Sequence, residues 1–510
     1  MKDHSEPRHQ ELGGMFDMTG VVRGEDGIKR YEGLPRNLVQ MFRAAVDQQG
    51  AAEAVVETGG GPRLSYASLW DRAARVAGGL RGLGVQRGDR VAIRLGNGID
   101  WVLAFLGAVL ADAIVVPVNT RFTEEEADYV VTDSGAAYVF TPGAALPDGD
   151  ALAVDDAEPS SPAAIFYTSG TTGFPKGAVT SHENFLSNAE TCRRALSVDP
   201  AGLRTLISVP LFHVTGCNSQ LLVALYVGGT AVIMPVFEVA AFLRAIEEEA
   251  IDTMVTVPAI YWLAISQPAF ADVDISRVRS VSYGGAPIAP DLVARLAKAF
   301  PQARLGNGFG LTETASVSTF LPHEFVAHAD SVGFPAPVCD VRLDAVAPDG
   351  TGELLIRGPN IVSGYWNKPE ATADTFVDGW LHSGDAARID EEGLVYLVDR
   401  LKDMINRGGE NVYCVEVENA LAGAPGVYEA AVLGVPDEMM GEKVGAVIVP
   451  MPGVSLDVPA VLGYLGEHIA DFKVPQYVAV SGTPLPRNPG GKLLKRRLRE
   501  DVDWGAAFRR

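Results

Sequence analysis

The sequence predicts an α/β fold: a large N-terminal domain of doubly wound parallel-sheet subdomains with a small β unit, followed by a small α+β C-terminal domain. Apolar runs such as 91–93 and 114–116 alternate with helical patterns, as in a parallel sheet covered on both faces. From about Val338 shorter alternating runs lie between Pro, Asp and Gly turns, which is typical of antiparallel strands. A chain of 510 residues also exceeds the size of one ordinary core.

The elements are expected in a regular order along the chain. Residues 1–30 are predicted to be a polar, weakly ordered lead-in, and the large domain is placed at 31–401. Residues 402–510 form the C-terminal domain, with the boundary at about Lys402. Strands are expected at 206–209, 231–234, 253–257, 278–282, 427–435 and 443–450, and helices at 68–83, 101–110, 237–250, 291–300, 415–421 and 456–469.

Composition narrows the possible functions. A net charge of −22 and a pI near 4.8 argue against nonspecific binding to nucleic acid or anionic membranes. The longest apolar run, 101–118, contains Gly107 and Asp112, so a buried helix followed by a strand is expected rather than a membrane span. The polar start has no apolar leader segment. The four cysteines lack CxxC spacing, which favours reduced thiols in the cytoplasm.

A glycine- and hydroxyl-rich stretch at 167–177 contains one lysine, Lys176, directly before its last residue. Backbone N–H groups at glycines, hydroxyl donors and a lysine charge together suit a polyphosphate. The stretch is not a P-loop, because Pro175 stands where that motif needs its second glycine and Gly177 where it needs a hydroxyl. The chain after it, 178–180, reads as extended, so the loop is predicted to join two strands. A flexible surface hairpin is the alternative.

Further motifs follow in a fixed order along the chain. They lie at 211–216 (LFHVTG), 283–287 (YGGAP), 308–314 (GFGLTET), 379–385 (GWLHSGD), 399–403 (DRLKD) and 486–492 (PRNPGGK). As an ordered set they resemble the adenylate-forming superfamily of acyl-CoA synthetases, nonribosomal adenylation domains and beetle luciferases. The resemblance covers about residues 37–497.

The resemblance implies that a carboxylate attacks MgATP to give an acyl-AMP, which then passes its acyl group to the thiol of CoA. It implies catalytic roles for Lys492, His213, Thr312 and Glu313, with Glu313 holding Mg²⁺. Phe309 would stack on adenine, with a packed core phenylalanine as the alternative. The implied ATP and AMP contacts are Thr168, Ser169, Gly170, Thr171, Thr172, Lys176, Gly285, Ala286, Pro287, Gly308, Phe309, Gly310, Leu311, Thr312, Asp385, Arg400 and Lys492.

The resemblance further implies a mobile C-terminal domain. Lys402 would be the hinge, and Gly408, Gly409 and Glu410 would line the path of the CoA thiol. The chain departs from the usual pattern at Asp112, where a glycine is common, and in the thiol loop beginning at Asn406.

The residues expected around the acyl group form a less specific sequence pattern than the nucleotide motifs. His213 resembles the aromatic gate of CoA ligases, although a lone histidine beside Phe212 is often a packed core residue. Nothing acidic stands between Leu211 and Leu225, so a substrate ammonium would lack a counter-ion. A hydrophobic acid (fatty, aromatic or polycyclic) is therefore expected. The expected acyl pocket comprises His213, Val214, Thr215, Gly216, Cys217, Ser219, Val257, Tyr261, Tyr283 and Gly284.

Two other functions stay open from the sequence. The acyl group could pass to a carrier-protein phosphopantetheine, or the acyl-AMP could serve a luciferase-like monooxygenase. The expected partners are a small carboxylic acid, ATP and CoA, without nucleic acid or stable membrane insertion. The sequence leaves open whether the chain forms a homodimer.

Overall fold

The computed structural model describes residues 15–168, 175–196, 203–401, 403–408, 410–487 and 493–510. Among these residues the helices α1 to α14 are, in chain order, Leu38–Gln49, Tyr66–Gly82, Ile99–Leu110, Glu124–Ser134, His182–Ala195, Val214–Gly216, Leu222–Tyr226, Val239–Glu248, Pro258–Ile265, Pro290–Ala299, Pro369–Thr375, Cys414–Ala422, Val458–His468 and Lys495–Asp501. A π-helical segment, Cys217–Leu221, joins α6 to α7.

The strands β1 to β27 of the same residues are, in chain order, Val21–Arg23, Lys29–Tyr31, Glu53–Glu57, Arg63–Ser65, Arg90–Ile93, Ile114–Pro117, Ala136–Phe140, Pro162–Thr168, Lys176–Ser181, Arg204–Ile207, Thr230–Ile233, Thr253–Thr256, Ser280–Gly284, Arg304–Phe309, Thr319–Leu321, Phe334–Pro335, Asp340–Asp344, Gly352–Arg357, Phe376–Val377, Trp380–Ile389, Val395–Arg400, Ile405–Arg407, Glu410–Val412, Val427–Asp437, Gly441–Pro450, Tyr477–Val480 and Phe508–Arg509.

The first parallel sheet has the strand order β7-β5-β6-β8-β9. Its first four strands are parallel, and β9 pairs antiparallel with β8. Helix α3 is buried along its length except at Asp100, and Trp101 stacks on Phe105 with ring centroids 5.4 Å apart. The apolar run at 101–118 is therefore a core helix followed by β6, as predicted. No helix of the described residues is both long and apolar enough to cross a membrane.

The second sheet has the order β16-β15-β14-β13-β12-β10-β11-β3-β4. Its central strands, from β14 to β3, are parallel, and antiparallel strands close both edges. Ligands of such sheets bind beyond the carboxyl ends of the strands. Since Gly284 and Gly308 are register partners at the ends of β13 and β14, the motifs at 283–287 and 308–314 lie side by side there.

Two smaller units follow. Strands β17 to β21 form an antiparallel sheet in which β20 pairs with β18, β19 and β21. Strands β22 to β27 form the C-terminal sheet, whose apolar residues pack with those of α12 and α13. These features confirm the predicted fold class: parallel-sheet subdomains, a small antiparallel β unit and an α+β C-terminal part.

Two local features differ from simple expectation. The segment predicted to be a weakly ordered lead-in contains the β1–β2 hairpin, which is tied to the small β unit by an Arg23–Asp340 ion pair of 2.8 Å. Asp112 has φ +54°, a conformation that favours glycine. Its carboxylate is paired with Arg87 at 2.5 Å, an attraction that offsets part of the backbone strain at this turn.

Candidate active site

The phosphate-loop stretch joins two paired strands, as predicted. Thr168 and Lys176 are register partners at the ends of β8 and β9, and the Thr168 hydroxyl donates to the Lys176 carbonyl at 3.4 Å. Helix α5 then begins with a capping box between Ser181 and Asn184. Ser169, Gly170, Thr171 and Thr172 lie outside the described residues.

Tyr365 connects the lysine of this loop to the predicted metal carboxylate. Its hydroxyl donates to Glu313 Oε1 at 2.7 Å, and Lys176 Nζ lies 5.0 Å from the centre of its ring. Burial and the nearby Glu313 carboxylate raise the pKa of the Tyr365 phenol well above its usual value, so it stays a hydrogen-bond donor at neutral pH. Lys176 and Glu313, 137 positions apart in sequence, are thus brought to one place.

The backbone around Tyr365 fixes this arrangement. The Val362 N–H donates to the Glu313 carbonyl at 2.9 Å, and the Trp366 N–H donates to the Gly177 carbonyl at 2.7 Å. Tyr365 also forms an isolated antiparallel bridge with Ala178 of β9. The sequence analysis missed Tyr365, because no local pattern shows that the segment from 362 to 366 crosses between these two motifs.

The turn that carries Thr312 and Glu313 has an unusual backbone. A single 3₁₀ turn, Thr312–Thr314, is followed by Ala315 at φ +51° and Ser316 at φ +128°. Non-glycine residues in such conformations are strained, and strain of this kind concentrates at functional sites. The Thr314 hydroxyl, which is 2.9 Å from the Ser316 carbonyl oxygen, donates within this turn.

Buried asparagines hold the strained turn in place. Asn218 Nδ2 donates to the Ala315 carbonyl at 2.8 Å, and Asn360 Nδ2 donates to the carbonyls of Thr314 and Val317 at 3.0 and 3.1 Å. Asn188 Oδ1 accepts from the Val317 N–H at 3.0 Å. These contacts satisfy backbone groups that would otherwise be buried without partners. The sequence analysis missed all three asparagines, since each lies far from the turn in the chain.

The glycines of the two neighbouring motifs are required by close backbone approach. A Cβ on Gly284 would lie 2.3 Å from the Gly308 carbonyl oxygen, and one on Gly310 would lie 1.3 Å from the Ser316 carbonyl oxygen. Gly285 has φ +73° and is exposed. Phe309 is half-buried and packs at the edge of the small-β-unit core, which leaves part of its ring free, as the adenine-stacking role needs.

Two of the implied ATP and AMP contacts, Asp385 and Arg400, are neighbours. Asp385 and Arg400 are register partners on β20 and β21, and Arg400 Nε lies 2.6 Å from Asp385 Oδ1. Glu353 orders the approach to Asp385: its carboxylate lies 2.8 Å from His382 Nδ1 and accepts from the Gly384 N–H at 3.0 Å. Glu353 could not be identified from the sequence. It follows a turn at the start of β18, and nothing in the local sequence distinguishes it from an ordinary exposed strand residue.

His213 stands at the start of α6 with its ring 4.8 Å from that of Phe212. Its Nε2 is buried and has no hydrogen-bond partner among the described residues. Burial lowers the pKa of His213 to about 4, so the imidazole is neutral at physiological pH. A packed core histidine would normally have a partner for this nitrogen. The role of His213 as a gate stays a prediction.

A narrow cavity of ≈ 60 Å³ lies between α5, the α6–α7 segment and the ends of β12 to β14. Five residues of the predicted acyl pocket line it: Val214, Thr215, Ser219, Tyr283 and Gly284. The cavity continues to Gly308, Phe309 and Gly310, so the regions predicted for the acyl group and for adenine adjoin. The Tyr283 hydroxyl is buried and has no partner among the described residues, which leaves it available to a ligand.

Other predicted pocket residues lie elsewhere in the described structure. Tyr261 is fully buried in the core beside β12 and β13, where its hydroxyl donates to the carbonyls of Met254 and Ser282. Cys217 is also fully buried in the main core. Five residues of the predicted acyl pocket are not among those that line this cavity: His213, Gly216, Cys217, Val257 and Tyr261. Tyr261 and Cys217 face the core instead, because sequence proximity to a pocket residue does not determine which side of a helix faces the cavity.

The predicted thiol path begins in a two-residue hairpin turn between β22 and β23, where Arg407 pairs with Glu410. Gly408 has φ +63°, which this turn requires of a glycine-like residue, and Glu410 is exposed. The glycine at 408 is thus explained by the turn alone. Gly409, Lys402 and Lys492 lie outside the described residues.

Comparison with known proteins gives consistent matches. The AMP-binding enzyme family model matches residues 42–157 and 143–366, and the model of the AMP-binding enzyme C-terminal domain matches residues 416–492. Feruloyl-CoA synthase of Amycolatopsis sp. is 39% identical over 86% of this chain and 94% of its own. Long-chain-fatty-acid–CoA ligase FadD13 of Mycobacterium tuberculosis is 34% identical over 91% of this chain and 98% of its own. The structure of ATP-bound MatB from Rhodopseudomonas palustris superposes with a TM-score of 0.84 at 30% sequence identity. The match covers 91% of this chain and 98% of MatB.

Proposed function

Because this chain belongs to the AMP-binding enzyme family, we propose that it is an ATP-dependent acyl-CoA synthetase that activates a hydrophobic carboxylic acid as acyl-AMP and passes the acyl group to CoA. The predicted membership of the adenylate-forming superfamily is confirmed by the family match and by the relatives, and the chain is an acid–thiol ligase. The roles of individual residues below are our proposal.

The observation that carries the proposal is the link from Lys176 through Tyr365 to Glu313. It holds a positive charge at the end of the phosphate loop and a carboxylate on the neighbouring strained turn. In the adenylation step the oxygen of the acid attacks the α-phosphorus and the bond to the leaving pyrophosphate breaks. Lys176 would stabilise the charge that develops on the pyrophosphate, and Thr312 would donate to a phosphate oxygen.

Glu313 suits a Mg²⁺ ion, since hard divalent cations take carboxylate oxygens and substrate phosphates as ligands. Its carboxylate is half-buried, and one oxygen accepts from Tyr365, which fixes the orientation of the group. Bound there with ATP, the ion would neutralise phosphate charge. The Asp385 carboxylate, positioned by Arg400, would accept hydrogen bonds from the ribose hydroxyls, and Phe309 would stack on the adenine.

On the acyl side, the proposal rests on neutral surroundings. His213 carries no charge at neutral pH, and the cavity that its sequence neighbours Val214 and Thr215 line is bordered mainly by apolar and small residues. A buried ammonium would have no counter-ion between 211 and 225. An acid without an α-amine therefore fits this cavity. All four cysteines are described and are buried free thiols, which supports our placement of the enzyme in the reducing cytoplasm.

The second half-reaction remains a prediction from the family resemblance. We propose that the C-terminal domain turns about Lys402, withdraws Lys492 after adenylation and brings Gly408, Gly409 and Glu410 beside the thiol. The thiolate would then attack the acyl carbon, and AMP would leave.

Separate assays of the two half-reactions test this proposal. We expect Lys492→Ala to abolish acid-dependent ATP–pyrophosphate exchange while leaving the conversion of supplied acyl-AMP to acyl-CoA largely intact. Lys298→Ala, which removes an exposed lysine of α10, is the matched control and should retain both half-reactions. Equal loss of both half-reactions in Lys492→Ala would contradict the alternation of domains. AMP release without acyl-CoA would point instead to a carrier-protein acceptor.

A further inference from the structure

Asp133 makes contacts that the stability of its own helix does not explain. It lies in the last turn of α4, and only 12% of its side chain is exposed. A carboxylate in the last turn faces the negative end of the helix dipole, so it destabilises the helix that carries it. The last four residues of α4, VTDS, include no basic residue that would offset this. The partners of Asp133 lie on two other parts of the chain.

The first partner is on strand β8. The Tyr167 hydroxyl donates to Asp133 Oδ2 at 2.7 Å, and Tyr167 directly precedes Thr168, the last residue of β8. Burial and the Asp133 carboxylate raise the pKa of the Tyr167 phenol well above its usual value, so it remains a donor at neutral pH. A hydrogen bond to a carboxylate is stronger than one between neutral groups. The end of β8 that leads into the phosphate-loop stretch is thereby tied to α4.

The other partners belong to residues 362–368, which we call the crossing segment. Lys368 Nζ lies 3.2 Å from Asp133 Oδ1. The backbone carbonyl of Asp133 accepts from Trp366 Nε1 at 3.2 Å and from Asn367 Nδ2 at 3.3 Å. Three consecutive side chains of the crossing segment therefore meet one residue of α4.

The crossing segment in turn binds the other side of the phosphate-loop stretch. The Trp366 N–H donates to the carbonyl of Gly177, the residue after Lys176 on β9. The Tyr365 hydroxyl donates to Glu313. A closed set of contacts thus runs from the end of β8 through α4 and the crossing segment to the start of β9, and includes the predicted metal carboxylate.

Apolar packing alone would hold the rings in this region. Tyr167 and Trp366 pack at the edge of the apolar cluster between α4 and the first sheet. A buried ion pair is often no more stabilising than well-packed apolar side chains of similar volume. What the Asp133 carboxylate adds is direction, because hydrogen bonds restrict both the distance and the angle at which their partners lie.

We propose that Asp133 is a positioning residue for the adenylation step: it sets the placement of Thr168 relative to Lys176, between which the phosphate-loop stretch extends. The inference rests on the proposed function, since it takes this stretch as the site of the β- and γ-phosphates. Small displacements of positioning groups can lower reaction rates strongly. AMP lacks these two phosphates, so its binding does not depend on Asp133.

The test compares the calorimetric affinities for MgATP and for AMP. Asp133→Asn keeps the size of the side chain and removes the charge that pairs with Lys368. We expect the Kd for MgATP to rise about tenfold, as for the loss of one charge-assisted hydrogen bond, while the Kd for AMP changes less than about twofold. Asp133→Glu, which restores the charge, should recover part of the MgATP affinity. A residue that only stabilised the fold would move both affinities together.

Asp340→Asn is the matched control, because the Asp340 side chain is also 12% exposed and pairs with Lys29 at 3.0 Å outside every predicted site. It should leave both affinities within about twofold, since distant sites rarely couple. Thermal unfolding checks that each variant is folded, and Lys368→Met, which removes an exposed partner, repeats the comparison if Asp133→Asn does not fold.

Two results would overturn the positioning role of Asp133 while leaving the proposed function intact. One is an unchanged MgATP affinity in the folded variant, and the other is an equal weakening of MgATP and AMP binding. Failure of the wild-type enzyme to bind MgATP would instead refute the proposed function.

Discussion

Replacing Tyr365 with phenylalanine isolates the contact that links the two halves of the phosphate site. The substitution removes one hydroxyl and keeps the ring, so the cation–π contact of Lys176 at 5.0 Å is retained. What is lost is the hydrogen bond of 2.7 Å to Glu313. We expect Glu313 to lose its fixed orientation, so that adenylation requires more Mg²⁺ and slows, while conversion of supplied acyl-AMP to acyl-CoA is unaffected.

The size of the effect follows from the kind of bond. A hydrogen bond to a charged group contributes about 1.5–3 kcal/mol, and each 1.4 kcal/mol corresponds to about tenfold in an equilibrium or rate constant. Glu313 and Tyr365 are both half-buried, so solvent can replace part of the lost bond. We therefore expect the lower end of this range: kcat/KM for ATP should fall about tenfold at limiting Mg²⁺ and recover in part at saturating Mg²⁺.

The assay is ATP–pyrophosphate exchange measured over a Mg²⁺ titration. Tyr226→Phe is a matched control, because the Tyr226 hydroxyl donates to the Glu190 carboxylate at 3.0 Å and neither residue belongs to a predicted site. Both variants should lose similar thermal stability, and only Tyr365→Phe should change the Mg²⁺ dependence. An unchanged Mg²⁺ titration in Tyr365→Phe, or equal changes in both variants, would refute the positioning role.

Three further predictions concern other parts of the site. Asp385→Asn should weaken AMP binding by tenfold or more in calorimetry, because a neutral amide neither neutralises the charge of Arg400 nor accepts hydrogen bonds from hydroxyls as strongly as a carboxylate does. Asp437→Asn, which breaks an ion pair of equal length at 2.6 Å, should leave AMP binding unchanged. His213 has its pKa lowered from 6.5 to about 4, so the unfolded chain binds more protons between these values and stability falls as pH drops through them. Between pH 7.5 and 5, the free energy of unfolding measured in urea should therefore fall by up to about 2 kcal/mol less in His213→Phe than in the wild type. An identical pH dependence of the two proteins would count against burial of the neutral ring. Asn360→Ala should lower the free energy of unfolding by about 2–5 kcal/mol, because two buried carbonyls lose their donor; a change below 0.5 kcal/mol, the usual range for a surface substitution, would show that the strained turn does not depend on it.

Features encoded locally could be predicted from the sequence. The phosphate loop between two strands follows from residue types at adjacent positions, and Thr168 indeed pairs with Lys176. The burial of α3 follows from its apolar length. Asp385 and Arg400 were implied as nucleotide contacts by the family resemblance alone, and it is the antiparallel register of β20 and β21 that brings them together.

Features that depend on distant contacts could not be predicted. Tyr365 reaches Glu313 only because a later segment crosses beside β9, and Asn360 meets its turn across 43 and 46 positions of sequence. Phe320 packs against Gly306 and Gly308 of the neighbouring strand, a contact that periodicity alone cannot reveal. Tyr261 shows the converse: it was expected in the pocket, but its hydroxyl is satisfied in the core by Met254 and Ser282.

The central claim is that this chain joins a hydrophobic acid to CoA through an acyl-AMP. The most direct measurement is ATP–pyrophosphate exchange with the wild-type enzyme over fatty, aromatic and polycyclic acids, followed by addition of CoA to the same mixtures. The account predicts acid-dependent exchange before CoA is added, then equal amounts of AMP and acyl-CoA after it. Exchange that does not depend on any acid, or AMP release without an acyl-CoA product, would contradict it.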